Sequence, residues 1–152
     1  MKVSFKGDYA LKIILDLTLL YNQSKGSLTQ IREIAQRQDI PEKFLEQIVS
    51  ILKQANYLRT LRGPKGGIAL AKAPSQITVG EIIRLIDGTT APIACVSCTQ
   101  YSRCDFEDRC VFKGLFEEIR VKINSVVDHV TFQDLSDRHV NQEATIYQGL
   151  GI

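Results

Sequence analysis

The sequence predicts a mainly α fold with a small β-hairpin wing: a winged helix-turn-helix followed by a long dimerisation helix. Two observations point to it. Three amphipathic segments lead into a basic hairpin tipped by Gly63-Pro64-Lys65-Gly66-Gly67. In that plan a third helix enters the major groove of DNA and the wing reaches the adjacent minor groove. Further on, Phe112, Phe116, Ile119, Ile123, Val126 and Val130 step by four, three, four, three and four. This is a heptad seam, and a seam needs a partner helix.

Taken in order, Tyr9, Leu11, Ile13, Ile14, Leu17, Leu19 and Leu20 follow a helical pattern, with Asp8 as candidate N-cap. Residues 22–27 form a polar turn. Ile31, Ile34 and Ala35 mark a short second helix with Thr29 as candidate cap, and Asp39-Ile40-Pro41 ends it. Pro41 suits the first turn of a third helix, and the charge of Glu42 complements the helix dipole. The periodicity puts Phe44, Leu45, Ile48, Val49, Ile51 and Leu52 inside. It leaves Lys43, Glu46, Gln47, Ser50 and Lys53 outside. Residues 57–62 read as a strand and residues 68–71 as its return. Thr78-Val79-Gly80-Glu81 is a capping box that opens a helix through Ile86, stopped by Asp87-Gly88. After the seam, residues 131–135 suggest a short last helix, with polar, frayed chain from Ser136. The expected divisions are a DNA-binding domain at 1–75, a linker helix and cysteine loop at 76–110, the dimerisation segment at 111–135 and a flexible tail at 136–152.

A chain of 152 residues, 44% hydrophobic and 24% charged, is an ordinary globular protein. Its net charge is only +2, but residues 25–73 carry nine Lys/Arg against four Asp/Glu. One basic segment in a near-neutral chain is the footprint of a nucleic-acid face. The candidate DNA contacts are Thr29, Lys43, Glu46 and Gln47 around the third helix, and Arg59, Arg62 and Lys65 on the wing. The blander reading is a generic helical domain with a charged surface hairpin. No signal peptide and no apolar run of membrane-spanning length is present, so a cytoplasmic location with reduced thiols is expected.

Cys95, Cys98, Cys104 and Cys110 fall within sixteen residues, and the other 136 residues contain no cysteine. Five residues separate Cys98 from Cys104 and Cys104 from Cys110, and the intervening sequence is mostly polar. Soft thiolates gathered on one loop favour iron–sulfur or zinc. Zinc sites usually show paired short gaps, and only Cys95 and Cys98 form such a pair. A metal-free thiol switch is a further alternative. An iron–sulfur carrier or electron-transfer protein is another, but neither needs a basic helix and wing. His129 and His139 stand apart from any reactive pair and no phosphate-binding glycine loop occurs, so no enzymatic activity is expected.

Several motifs fall in a distinctive order: Asp8-Tyr9-Ala10-Leu11, residues 40–48, Arg62-Gly63-Pro64-Lys65-Gly66-Gly67, residues 78–83 and the three evenly spaced cysteines. Over residues 1–135 the chain thereby resembles the Rrf-two family of bacterial winged-helix regulators, in particular its IscR/NsrR-like members. The resemblance implies a homodimeric transcriptional regulator, a repressor, on a palindromic operator, sensing redox state, iron or nitric oxide. It also implies a 2Fe-2S or 4Fe-4S cluster on Cys98, Cys104 and Cys110. Some relatives take a fourth ligand from a histidine three residues after the last cysteine, where this chain has Lys113. Others use an aspartate near the start of the first helix, the place of Asp8 here. Cys95 departs from the family pattern and is the alternative fourth ligand.

Overall fold

The computed structural model describes residues 2–149, with side chains described as far as residue 142. Six helices and one two-stranded antiparallel sheet are present among them: α1 (Phe5–Gln23), α2 (Ile31–Gln38), α3 (Glu42–Gln54), β1 (Leu58–Leu61), β2 (Gly67–Leu70), α4 (Val79–Asp87), α5 (Lys113–Val127) and α6 (Phe132–Gly149). The expected winged-helix class is therefore the observed one. No described helix is long and apolar enough to cross a membrane.

The core is built round α1. Its Ala10, Ile13, Ile14 and Leu17 meet Ile34 of α2, Leu45, Ile48 and Leu52 of α3, Ile77 and Ile82 near α4, and Phe132 of α6, all buried. Full burial of side chains this size contributes roughly 1.5–3 kcal/mol each. Ser4, not Asp8, caps α1: its hydroxyl accepts from the Gly7 amide at 3.0 Å, and Asp8 lies in the first turn. Ser4 also donates to Asp87, tying the start of α1 to the end of α4. Pro41 stands at the N-cap of α3.

The wing pairs Leu58 with Leu70 through to Leu61 with Gly67. Thr29 extends this sheet by an antiparallel bridge to Ile68, its amide and carbonyl both engaged at 3.1 and 2.8 Å. The approach is so close that a Cβ on Gly67 would lie 2.6 Å from the Thr29 carbonyl oxygen. Gly63, with φ of +112°, takes a tip conformation that a side chain would strain.

Two expectations need correction. The seam from Phe112 to Val130 is not one helix: α5 stops at Val127. The Val130 carbonyl instead accepts from the Val79 amide, and Thr131 bridges to Thr78. Nor does the helical chain end near Ser136: α6 runs on to Gly149, and residues 150–152 of the expected tail lie outside the described residues. Thr131 and Asp134 cap that helix reciprocally, and Ser136, 1% exposed, accepts from the Asn22 side chain at 3.0 Å. A polar residue that reads as solvated is thus held inside against α1.

Candidate DNA-binding face and cysteine loop

The reading head is α2 and α3. Beneath it, Asp16 is 5% exposed and accepts a fork from Arg37, Nε at 3.0 Å and Nη2 at 2.7 Å, together with Gln38 Nε2 at 2.9 Å. The hydrogen bond to Asp16 raises the Arg37 pKa above its ordinary value. Thr29 donates to Glu33 at 2.7 Å and accepts from Arg37 at 3.2 Å. That donation, with the Gln30 amide, holds the Glu33 carboxyl below the usual range. Thr29 is itself 5% exposed, so it braces the head and is not on the DNA-facing surface. Its expected role as a DNA contact is withdrawn on that burial.

Leu45, Ile48, Val49 and Leu52 anchor α3 in the core and turn the remaining face outward. Lys43, Glu46, Gln47 and Ser50 are exposed, as the periodicity predicts. Phe44 is not inside as expected: it is 56% exposed at the edge of the outward face. On the wing Arg59, Arg62 and Lys65 are all exposed. Arg59 leans back, donating to the Gly26 carbonyl at 3.2 Å, while Arg62 and Lys65 lie at the tip.

The cysteine loop runs from α4 to α5 with two short 3-10 turns, at Ala94–Val96 and Glu107–Arg109. Cys95 and Cys110 are half-buried, Cys98 and Cys104 are exposed, and all four are free thiols. Ser97, buried, gathers the Thr99 and Gln100 amides on its hydroxyl. Glu107 crosses the loop, accepting from Tyr101 Oη at 2.9 Å and pairing with Lys113 at 2.9 Å. Lys113 first, then Tyr101, hold the Glu107 carboxyl below its usual range, and Glu107 raises the Lys113 pKa in return. Lys113 is thus a structural cation that ties the start of α5 to the loop.

The donor types on this loop are those of an iron–sulfur site, soft and unpaired. Their placement is open: among the described residues no three of His, Cys, Asp or Glu stand close enough to hold a metal. Asp8 pairs with Lys12 one turn along, at 2.8 Å. The chemistry of the set therefore fits a cluster, and the four sulfurs and Asp8 do not converge on a point in this conformation.

A feature the sequence reading missed lies on α5. Arg120, Asn124 and Asp128, four residues apart, face the segment before them. Arg120 Nη1 donates to Cys98 Sγ at 2.6 Å, Asn124 accepts from Thr90 at 2.6 Å, and Asp128 pairs with Arg84. These residues line a cleft of about 170 Å³ beside Cys98. Arg120 Nε is buried there without an acceptor among the described residues. The signal was legible as polar residues at i, i+4 and i+8 flanking the apolar stripe. Opposite this seam α5 buries no residue, and Phe112, Leu115 and Val126 are 61%, 53% and 61% exposed.

A family model described as Rrf2, iron-dependent transcriptional regulator, matches residues 3–138. The chain belongs to the Rrf2 family. An HTH-type regulator of Rhodobacter capsulatus described as rrf2-like is 34% identical over 136 residues, 88% of this chain and 91% of its own. Among solved structures, CymR, the global cysteine regulator of Bacillus subtilis, matches with TM-score 0.76 and 31% identity, over 91% of this chain and 98% of that one. T. potens IscR matches with TM-score 0.70 and 29% identity, over 91% and 88%. Membership in the Rrf2 family makes this chain a DNA-binding winged-helix transcriptional regulator, not an enzyme.

Proposed function

We propose that this Rrf2 regulator works as a homodimer on a roughly palindromic operator and senses redox state, iron or nitric oxide through a cluster on its cysteine loop. Cys98, Cys104 and Cys110 are the protein ligands, with Asp8 or Cys95 as the fourth. When bound, the cluster supplies thiolate-ligated iron that reacts with oxidants or nitric oxide. The observation that carries this reading is four free thiols on one loop whose Cys98 is bonded to Arg120 of α5. A change at Cys98 thus has a direct route to the helix that leads on to the dimer face. Lys43, Glu46 and Gln47 read base edges, and Arg59, Arg62 and Lys65 flank the minor groove.

Dimerisation is supported by the apolar face of α5, where Phe112 and Val126 are exposed and Phe116, Ile119 and Ile123 half-buried, with Val130 just beyond. A second copy covers those side chains and places two reading helices one helical turn apart on DNA, about 34 Å. The deciding experiment is purification without oxygen, followed by visible absorption, iron and zinc analysis and sedimentation velocity. A brown dimer with iron on the loop supports the reading. A colourless protein with stoichiometric zinc, or a monomer at micromolar concentration, overturns the corresponding half.

A metal-free thiol switch is the second reading. It is favoured by the four free thiols on one loop and by the similarity to a regulator named for cysteine. It predicts a colourless, metal-free protein whose DNA affinity changes with reversible thiol oxidation.

A further inference from the structure

We infer that Phe44 is a specificity residue of the reading helix, packing its ring against the 5-methyl group of a thymine in each operator half-site. Singly exposed apolar side chains are common and need no explanation by themselves. Phe44 is distinguished by its place. It is 56% exposed in the first turn of α3, where its amide bonds to the Pro41 carbonyl at 3.0 Å. Its neighbour Leu45 is 0% exposed and Ile48 is 1% exposed. Those two anchors fix the helix rotation, so Phe44 cannot turn inward without unseating them. Lys43 beside it and Gln47 one turn on are exposed on the adjoining face.

The first turn of a reading helix is the part that reaches base edges. Every other group on the outward face is polar or charged: Glu42, Lys43, Glu46, Gln47 and Ser50. These match the donors and acceptors of the major groove. The groove also carries one apolar mark, the thymine methyl, and apolar side chains, phenylalanine among them, are the groups that contact it. Phe44 is therefore the only large apolar group on α3 placed to read that mark. This inference rests on α3 being the base-reading helix.

The test uses the full chain and an operator selected in vitro from random duplex DNA. Each thymine is replaced in turn by deoxyuridine, which deletes only the methyl group, and Kd is measured for wild type, Phe44→Ala and Phe44→Leu. The expected result is one thymine per half-site at which methyl loss weakens wild type about fourfold, the effect of burying one methyl-sized group. Phe44→Ala loses at least as much on the thymine operator and no longer responds to deoxyuridine there. Phe44→Leu retains part of the response, and carries the test if Phe44→Ala lowers the thermal midpoint. Equal deoxyuridine responses in wild type and variants at every thymine overturn the inference, as does a Phe44→Ala loss independent of sequence. Gln47→Ala separates the two levels. If it shifts base preference while Phe44→Ala does not, Phe44 alone is wrong; if neither does, the reading of α3 itself fails.

Discussion

Asp16 sits under the reading head with three donors on its two oxygens, two from Arg37 and one from Gln38. Asp16→Ala leaves those donors without their acceptor. Charged hydrogen bonds of this kind are worth about 1.5–3 kcal/mol, and the Arg37 side chain is 41% exposed, so about 2 kcal/mol is the expected loss by urea unfolding. DNA affinity falls with it, since α2 loses its tie to α1. An unchanged unfolding midpoint would show the fork to be idle. Arg62 belongs to the same scale but acts on DNA alone. Exposed at the wing tip, it contributes nothing to the core. Arg62→Ala is expected to weaken binding and flatten the log–log salt dependence by about 0.9 per protomer, about 1.8 for a dimer that loses one phosphate contact on each half-site. A slope equal to wild type would remove Arg62 from the interface.

At the scale of elements, the wing is set by backbone contact as much as by side chains. Gly67→Ala pushes a methyl group into the Thr29 carbonyl, 2.6 Å from where the new Cβ must sit. Either the wing or the strand-like entry to α2 must shift, at roughly 1–3 kcal/mol, the usual cost of overpacking. The expected readout is weaker operator binding with the dimer intact by sedimentation. Binding equal to wild type would mean that the bridge yields freely. The tip glycines were legible as a turn, and the strand pair followed from Leu58 and Ile68. The Thr29 bridge was not, because two residues say nothing of a third strand. Similarly, Leu45, Ile48 and Leu52 showed which way α3 faces, while Phe44 misled. It lies at the edge of the apolar arc, and periodicity cannot tell an edge residue that packs from one that does not. The break in the 112–130 seam was hidden for a related reason. Heptad spacing continues through Val130, but the Val79 amide competes for its carbonyl, and that competitor is 51 residues away in sequence. Four clustered cysteines announced a thiol centre, and the spacing of Arg120, Asn124 and Asp128 marked a polar stripe, but which cysteine Arg120 touches follows only once α5 is laid beside the loop.

For the molecule as a whole, the open question is how a winged head, a thiol loop and an uncovered helix face make one sensor, and the ligand set decides it. Replacing Cys98, Cys104 or Cys110 by Ala is expected to abolish cluster loading, because each removes one of three thiolates. Asp8→Ala and Cys95→Ala discriminate the fourth position. Cys95 lies in the 3-10 turn at Ala94–Val96, on the same loop as the other three. Asp8 lies on α1, where its carboxylate faces Lys12 at 2.8 Å. That ion pair is exposed on both sides and costs little to break, so it does not prevent Asp8 from serving a metal. An oxygen donor in the fourth place would make one iron position labile, as suits a sensor; four thiolates would give a more durable site. If Asp8 is the ligand, Asp8→Ala gives a cluster with altered absorption and shorter lifetime in air, while Cys95→Ala matches wild type. Asp8→Cys then restores lifetime by supplying a thiolate in the same place. The reverse pattern assigns Cys95 and leaves Asp8 as the partner of Lys12. If Cys98→Ala, Cys104→Ala and Cys110→Ala all retain wild-type iron content and absorption, the cluster reading fails outright. The thiol-switch reading then gains the test it needs: loss of oxidant-dependent DNA binding in those same three variants.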